Sequence, residues 1–126
     1  MLTSAFQPQS PTIAIVTSAT PSTASSVVLT WPLQVGSVTV GPAEAAPGQV
    51  RVRGALGNTA DVWMSINPSG DTATIPSGTT YSQELPIAPN SVEVFGGVSR
   101  SGRQLNVNVI SSVASQTIYL TFGDGL

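Results

Sequence analysis

The chain has 126 residues, a size that suits one domain with a real core. Only 8% of its residues are charged, against about 25% in ordinary globular chains, and the net charge is −2. Histidine, cysteine and lysine are missing, which excludes disulfides and thiolate chemistry, removes the usual zinc ligands, and takes away most bases that could activate a nucleophile.

Residues 1–11 carry Pro8 and Pro11 among Gln, Ser and Thr. Proline has no donor and a fixed φ, so this stretch reads as an extended N-terminal arm ahead of a single domain over 12–126. The arm either frays, as termini commonly do, or orders on a neighbour with Leu2 and Phe6 as anchors. It holds no basic residue and no continuous apolar run, so no signal peptide is expected.

Residues 12–17 are β-branched and predict the first strand, and 26–31 the second, ended by Pro32. Residues 35–40 predict a third, before a Gly/Pro/Ala loop over 41–48. Residues 49–53 predict a fourth, with Val50 and Val52 inward and Arg51 and Arg53 outward. In 61–66, Val62, Met64 and Ile66 share one face while Trp63 and Ser65 share the other. Short strands are expected over 72–75, 81–85 and 91–95, separated by turns rich in Pro, Gly, Asn and Ser. Arg100 and Arg103 flank a turn candidate at Ser101-Gly102.

The last two strands are the most regular. Leu105, Val107 and Val109 alternate with Gln104, Asn106 and Asn108. Ile118, Leu120 and Phe122 alternate with Thr117, Tyr119 and Thr121. Each reads as oily on one face and polar on the other, the polar face meeting water or a partner. The short connection 111–115 suits a hairpin.

About ten short strands with turns every eight to twelve residues, and no helical period anywhere, predict an all-β antiparallel sandwich of jelly-roll type. Val62, Met64, Val107, Val109, Ile118 and Leu120 are its expected core.

Chemistry is harder to find. The six acids are scattered, mostly at turns and strand ends, and no Gly-x-Ser-x-Gly elbow occurs. No catalytic residue, cofactor or metal site is assigned, and the protein is expected not to be an enzyme. The charge balance offers no footprint for nucleic acid, and no apolar run approaches the ~20 residues that span a bilayer. The arginines are either a solvated strand edge or donors to carboxylates on a partner, for which their planar fork is suited. Trp63 is either an interface anchor or the second face of a buried strand. The candidate protein interface is therefore Leu2, Phe6, Arg51, Arg53, Trp63, Arg100 and Arg103.

With 17 serines and 14 threonines supplying its polarity, this cysteine-free and lysine-free all-β chain with an extended arm resembles the small head decoration (cement) proteins of tailed bacteriophages. The likeness is one of composition and layout. It implies a β-sandwich, often trimeric, that binds the major capsid protein on the outer surface of an assembled head and reinforces it without catalysis. The alternative is a carbohydrate- or receptor-binding sandwich from a viral fibre or a secreted protein.

Overall fold

A computed structural model describes residues 7–8, 12–30, 33–35, 38–40, 49–67, 72–77, 84–96 and 104–124. Among these residues there is no helix. The strands are β1 (Gln7–Pro8), β2 (Ile13–Val16), β3 (Ser25–Thr30), β4 (Leu33–Val35), β5 (Val38–Val40), β6 (Gln49–Gly54), β7 (Val62–Asn67), β8 (Leu85–Ile87), β9 (Val92–Phe95), β10 (Gln104–Ile110) and β11 (Thr117–Asp124). Every pairing is antiparallel.

Two sheets pack face to face as a β-sandwich. In sheet 1 the order is β2-β11-β6-β9, with β1 beside the far end of β11. In sheet 2 it is β3-β10-β7-β8. The pairs are nested: β2 with β11, β3 with β10, β6 with β9 and β7 with β8. Each nested set sends its outer pair to sheet 1 and its inner pair to sheet 2, so nearly every connection crosses between the layers. A separate hairpin, β4–β5, pairs Leu33 with Val40 and Val35 with Val38. It splits the single strand expected over 35–40 around the Gly36-Ser37 position.

Alternation builds the core. Ile15, Val50, Val52, Ile118, Leu120 and Phe122 from sheet 1 meet Leu29, Val62, Met64, Ile87, Leu105, Val107 and Val109 from sheet 2 in one cluster. All six expected core residues are in it. Five of them, Val62, Val107, Val109, Ile118 and Leu120, are fully enclosed, with Met64 at 4% exposure.

The expected hairpin between the last two strands does not form. β10 lies at the centre of sheet 2 and β11 at the centre of sheet 1. The connection is an arch over residues 111–116, not a hairpin turn. Ser115 adopts φ 54° in it, and its N–H reaches the Ser18 carbonyl at 3.0 Å. Length alone does not separate the two, because an arch between layers about 10 Å apart needs only a few residues.

The polar face of β10 differs from expectation too. Asn106 and Asn108 are both buried, Asn108 completely. Asn108 stands directly opposite Ser26 on β3 and Ser65 on β7. Ser26 Oγ donates to Asn108 Oδ1 at 2.9 Å, and Asn108 Nδ2 donates to Ser65 Oγ at 3.2 Å. A buried amide is tolerated when its polar atoms are paired, and here two serines pair it across the sheet.

Three further differences are local. Residues 72–76 are not a strand; they run without a ladder, their Thr74 N–H bonded to the buried Glu84 carboxylate at 3.2 Å. Of the strand expected over 81–85, residues 81–83 lie outside the described residues, and the strand described next to them is β8, which begins at Leu85. That strand contains Pro86, which an edge position permits because one N–H direction has no ladder partner. Within the expected arm, Gln7 and Pro8 pair with Asp124 and Gly123 of β11. The anchors Leu2 and Phe6 lie outside the described residues.

At the end of β6, Gly54 is obligatory. Its N–H donates to the Ser91 carbonyl at 3.0 Å, and a Cβ there would overlap the Ala88 carbonyl oxygen. The 88–91 crossing between β8 and β9 is thereby pressed against β6.

Two substitutions gauge these features by chemical denaturation. Leu120→Ala should cost about 2–5 kcal/mol, since the side chain is fully enclosed. Gln116→Leu should cost about 0.5–1.5 kcal/mol for each hydrogen bond lost, since the part-buried Thr59 and Ala60 N–H groups lose their acceptor.

Candidate functional site: the open face of sheet 1

The two outer faces of the sandwich are treated differently. On sheet 2 the central strand is closed: Asn106, Asn108 and Ile110 are 8%, 0% and 6% exposed. Residues 72–75 lie beside Ile110 with Ser22, Ala24 and Ser112, and Ala73 is buried. Trp63, opposite Ile110 and Pro86 on this face, is half-buried.

Sheet 1 is open. The register fixes what stands on it. The inward set Ile118, Leu120 and Phe122 on β11 turns Thr117, Tyr119 and Thr121 outward. The same rule turns Arg51 and Arg53 outward on β6, and Ala14 and Val16 on β2. On β9 it turns out Val92 and Val94, which lie opposite Arg53 and Arg51.

Two cross-strand rows result. One runs Ala14, Tyr119, Arg53, Val92. The other runs Thr12, Thr121, Arg51, Val94. Between them Thr12, Arg51, Arg53, Val92, Tyr119 and Thr121 line a shallow trough of about 440 Å³. Val16, Val92 and Val94 are about half exposed and Tyr119 is 38% exposed. The face therefore has apolar borders on both edge strands and a polar, cationic middle.

Arg51 and Arg53 are two residues apart on one strand, which sets their Cα atoms roughly 6.5–7 Å apart. Arg53 Nη2 donates to Asn90 Oδ1 at 3.5 Å, a long contact to a neutral acceptor. Asn90 holds φ 57° in the 88–91 turn, so the turn presents this amide to the arginine. Thr12 and Thr121 share a hydroxyl hydrogen bond of 2.8 Å across β2 and β11. Tyr119 lies directly opposite Arg53, close enough for the guanidinium to lie along its ring. No described acid faces the trough from β2, β6, β9 or β11 at these rows. Asp61 precedes β7, Glu84 is buried, and Glu93 shares the Val52 side of β9.

The structure thus brings together two of the seven candidate interface residues, Arg51 and Arg53. Trp63 is on the opposite face of the sandwich. Leu2, Phe6, Arg100 and Arg103 lie outside the described residues. Sequence reasoning missed Thr12, Thr121, Val92 and Val94, and left Tyr119 unassigned. The signal for Tyr119 and Thr121 was present in the alternation of β11. For Val92 and Val94 the alternation of Val-Glu-Val-Phe left open which side faces the core. The pairing of Phe95 with Val50 settles it and leaves Glu93 at the edge with the core-side register.

Chemically, the trough offers cationic and hydroxyl donors with one aromatic ring and apolar flanks. Among the described residues no three of His, Cys, Asp and Glu come together. The arrangement can bind; it contains no pair of carboxylates converging in a cleft. Exposed charges contribute little to folding, so Arg51→Gln with Arg53→Gln should change unfolding free energy by no more than about 0.5 kcal/mol each. Thermal denaturation of the double variant beside the parent checks this, and an unfolded double variant would mean the arginines hold the sheet together.

Comparison with known proteins finds no matching family, no similar characterised protein and no similar solved structure.

Proposed function

We propose that the protein is a non-enzymatic decoration (cement) protein of a virion. In this reading it is a homo-oligomer, a trimer by resemblance, that docks on the major capsid protein at the outer surface of an assembled head and reinforces the shell. The observation that carries the docking part is the contrast between the two outer faces. On one, the central strand is closed, with Asn106, Asn108 and Ile110 buried and Val28 exposed beside it, while the other leaves Val16, Val92, Val94 and Tyr119 exposed on the side that carries two arginines. An exposed apolar border on a cationic centre is the composition of an interface that stays soluble until it is covered.

Three further features support the reading. The nested strand order supports reading the sandwich as a jelly roll, an architecture shared by viral capsid proteins and lectins. The low charge keeps the desolvation cost of close packing small, because few ions must leave water. The edge strand β9 carries no lysine or proline among Val92–Phe95, so a neighbour covering it would remove an aggregation hazard.

A second reading, a carbohydrate- or receptor-binding module, is favoured by the trough itself, where Tyr119 offers a stacking ring beside threonine hydroxyls. Light scattering and co-sedimentation with assembled capsids separate the two. The decoration reading expects a stable oligomer that sediments with capsids and ignores soluble glycans. A monomer that leaves capsids untouched and binds a glycan would overturn it in favour of the second.

A further inference from the structure

The β9 edge of sheet 1 has a chemistry of its own. Gly54 N–H donates to the Ser91 carbonyl at 3.0 Å, and Ala55 N–H donates to the Thr117 carbonyl at 3.1 Å. Alternate residues of β6 therefore bond to β9 and to β11, as an antiparallel ladder requires. In that register Val52 exchanges backbone bonds with Glu93, and Val50 with Phe95. The N–H and carbonyl groups of Val92 and Val94 then point away from β6, toward the outer edge. β9 ends the order of its sheet, and among the described residues no strand pairs beyond it. At the β8 edge of sheet 2, Pro86 has no donor to offer, whereas every residue of β9 keeps one.

The side chains of this edge divide by face. Val92 and Val94 stand on the outer face, both exposed. Glu93, between them in sequence, is turned to the opposite side with Phe95 and is also exposed. No described cation on β6 or β9 shares that side, because Arg51 and Arg53 belong to the outer face. A strand added here would set two side chains beside the valines and one opposite Glu93.

A second copy is a poor source of that strand. Two β9 strands pairing antiparallel through these outward groups would match each Val92 with a Val94 and set Glu93 against its own counterpart. That pair is of the closer, non-hydrogen-bonded kind, with Cα atoms ~4.5 Å apart. Like charges directly opposite oppose pairing. Sliding the register two residues either way loses one of the two bonded valine pairs. An inward-pointing charge on an edge strand is one of the devices that prevent edge-to-edge association.

We propose that the β9 edge accepts an extended strand from a different protein, with a basic residue opposite Glu93 and apolar residues on either side of it, while Glu93 bars a second copy from the same place. The proposal rests on the docking reading above and adds the mode of contact. Backbone bonds to Val92 and Val94 hold the strand, and Glu93 selects it.

The chain itself supplies a probe strand. In the Glu93→Arg variant an arginine stands between the two valines, which is the required pattern. Isotope-labelled parent is mixed with unlabelled Glu93→Arg or with unlabelled parent, and NMR follows amide hydrogen exchange at Val92 and Val94. Protection of both amides should be about tenfold greater with the variant, the scale of turning a like-charge cross-strand pair into an opposite-charge one. Raised salt should reduce the gain. Equal protection in the two mixtures, or amides already protected in dilute parent alone, overturns the proposal.

A second arm measures capsid co-sedimentation of the parent, Glu93→Arg and Val92→Pro, the last removing an outward donor. Loss of sedimentation in both variants supports the proposal. Loss in Val92→Pro alone overturns the basic residue, and loss in Glu93→Arg alone overturns the backbone ladder. Unchanged sedimentation in both overturns strand addition and leaves the docking reading standing. A parent that fails to sediment removes the docking reading, and the mixing experiment then decides the proposal by itself.

Discussion

The sandwich depends on one buried amide, that of Gln116. Strands β10 and β11 are the central strands of different sheets, and six residues carry the chain from one to the other. Gln116, 6% exposed, ends that passage with each of its polar groups bonded. Its Oε1 accepts from the Thr59 and Ala60 N–H groups at 2.7 and 3.3 Å, and its Nε2 donates to the Ala114 carbonyl at 3.0 Å. Its N–H donates to Thr17 Oγ1 at 2.9 Å, and its carbonyl accepts the Thr17 N–H at 2.8 Å. Asn58 continues the pattern, its side-chain amide pairing with both the N–H and the carbonyl of Thr117 at 2.9 and 2.7 Å. At the other end of the arch Ser111 Oγ donates to the Asp61 carbonyl at 2.9 Å. The β2 end, the 55–60 turn, the start of β7 and the arch are thus held in one network. Such networks are worth most where water is excluded, because an unmade bond there has no substitute. With the arch held, β11 must lie between β2 and β6, and β10 between β3 and β7.

That placement decides which faces are open. β10 carries asparagines outward, and Ser26 and Ser65 stand at the register positions that satisfy Asn108, so the middle of sheet 2 closes on itself. β11 carries Tyr119 and Thr121 outward between Thr12 and Ala14 on one side and the arginines on the other. Tyr119 is left exposed there, while Thr121 is 4% exposed and bonded to Thr12. The same alternation rule therefore produces a closed face and an open one, and the difference lies in the neighbours that each central strand acquires.

Much of this was legible in the residues. The strict alternation of β10 and β11 identified their core faces, and Val-Arg-Val-Arg on β6 put both arginines outside. The all-β class followed from short periodic runs broken by Gly and Pro. What escaped is what depends on partners distant in sequence. Five or six residues between two strands suit a hairpin and an inter-sheet arch equally, and only the Gln116 and Thr17 contacts, 99 residues apart, decide between them. Asn108 looked solvent-facing because its serine partners lie 82 and 43 residues away. The facing of the β9 valines could not be read, because a short edge strand takes its orientation from the register of its neighbour β6. Trp63 stands outward on sheet 2 and is half-buried.

The claim at the centre of the account is that the face bearing Tyr119 and Val92 is the one that meets a partner. Hydroxyl-radical footprinting of the free protein and of the capsid-bound protein tests it directly, read residue by residue by mass spectrometry. Leu56 and Val113, exposed but away from that face, are the internal controls. The account predicts that Tyr119, Val92 and Val94 are oxidised in the free protein and protected on the capsid, with Leu56 and Val113 reactive in both. Equal oxidation of Tyr119 and Val92 in the two states, with protection elsewhere, would contradict it.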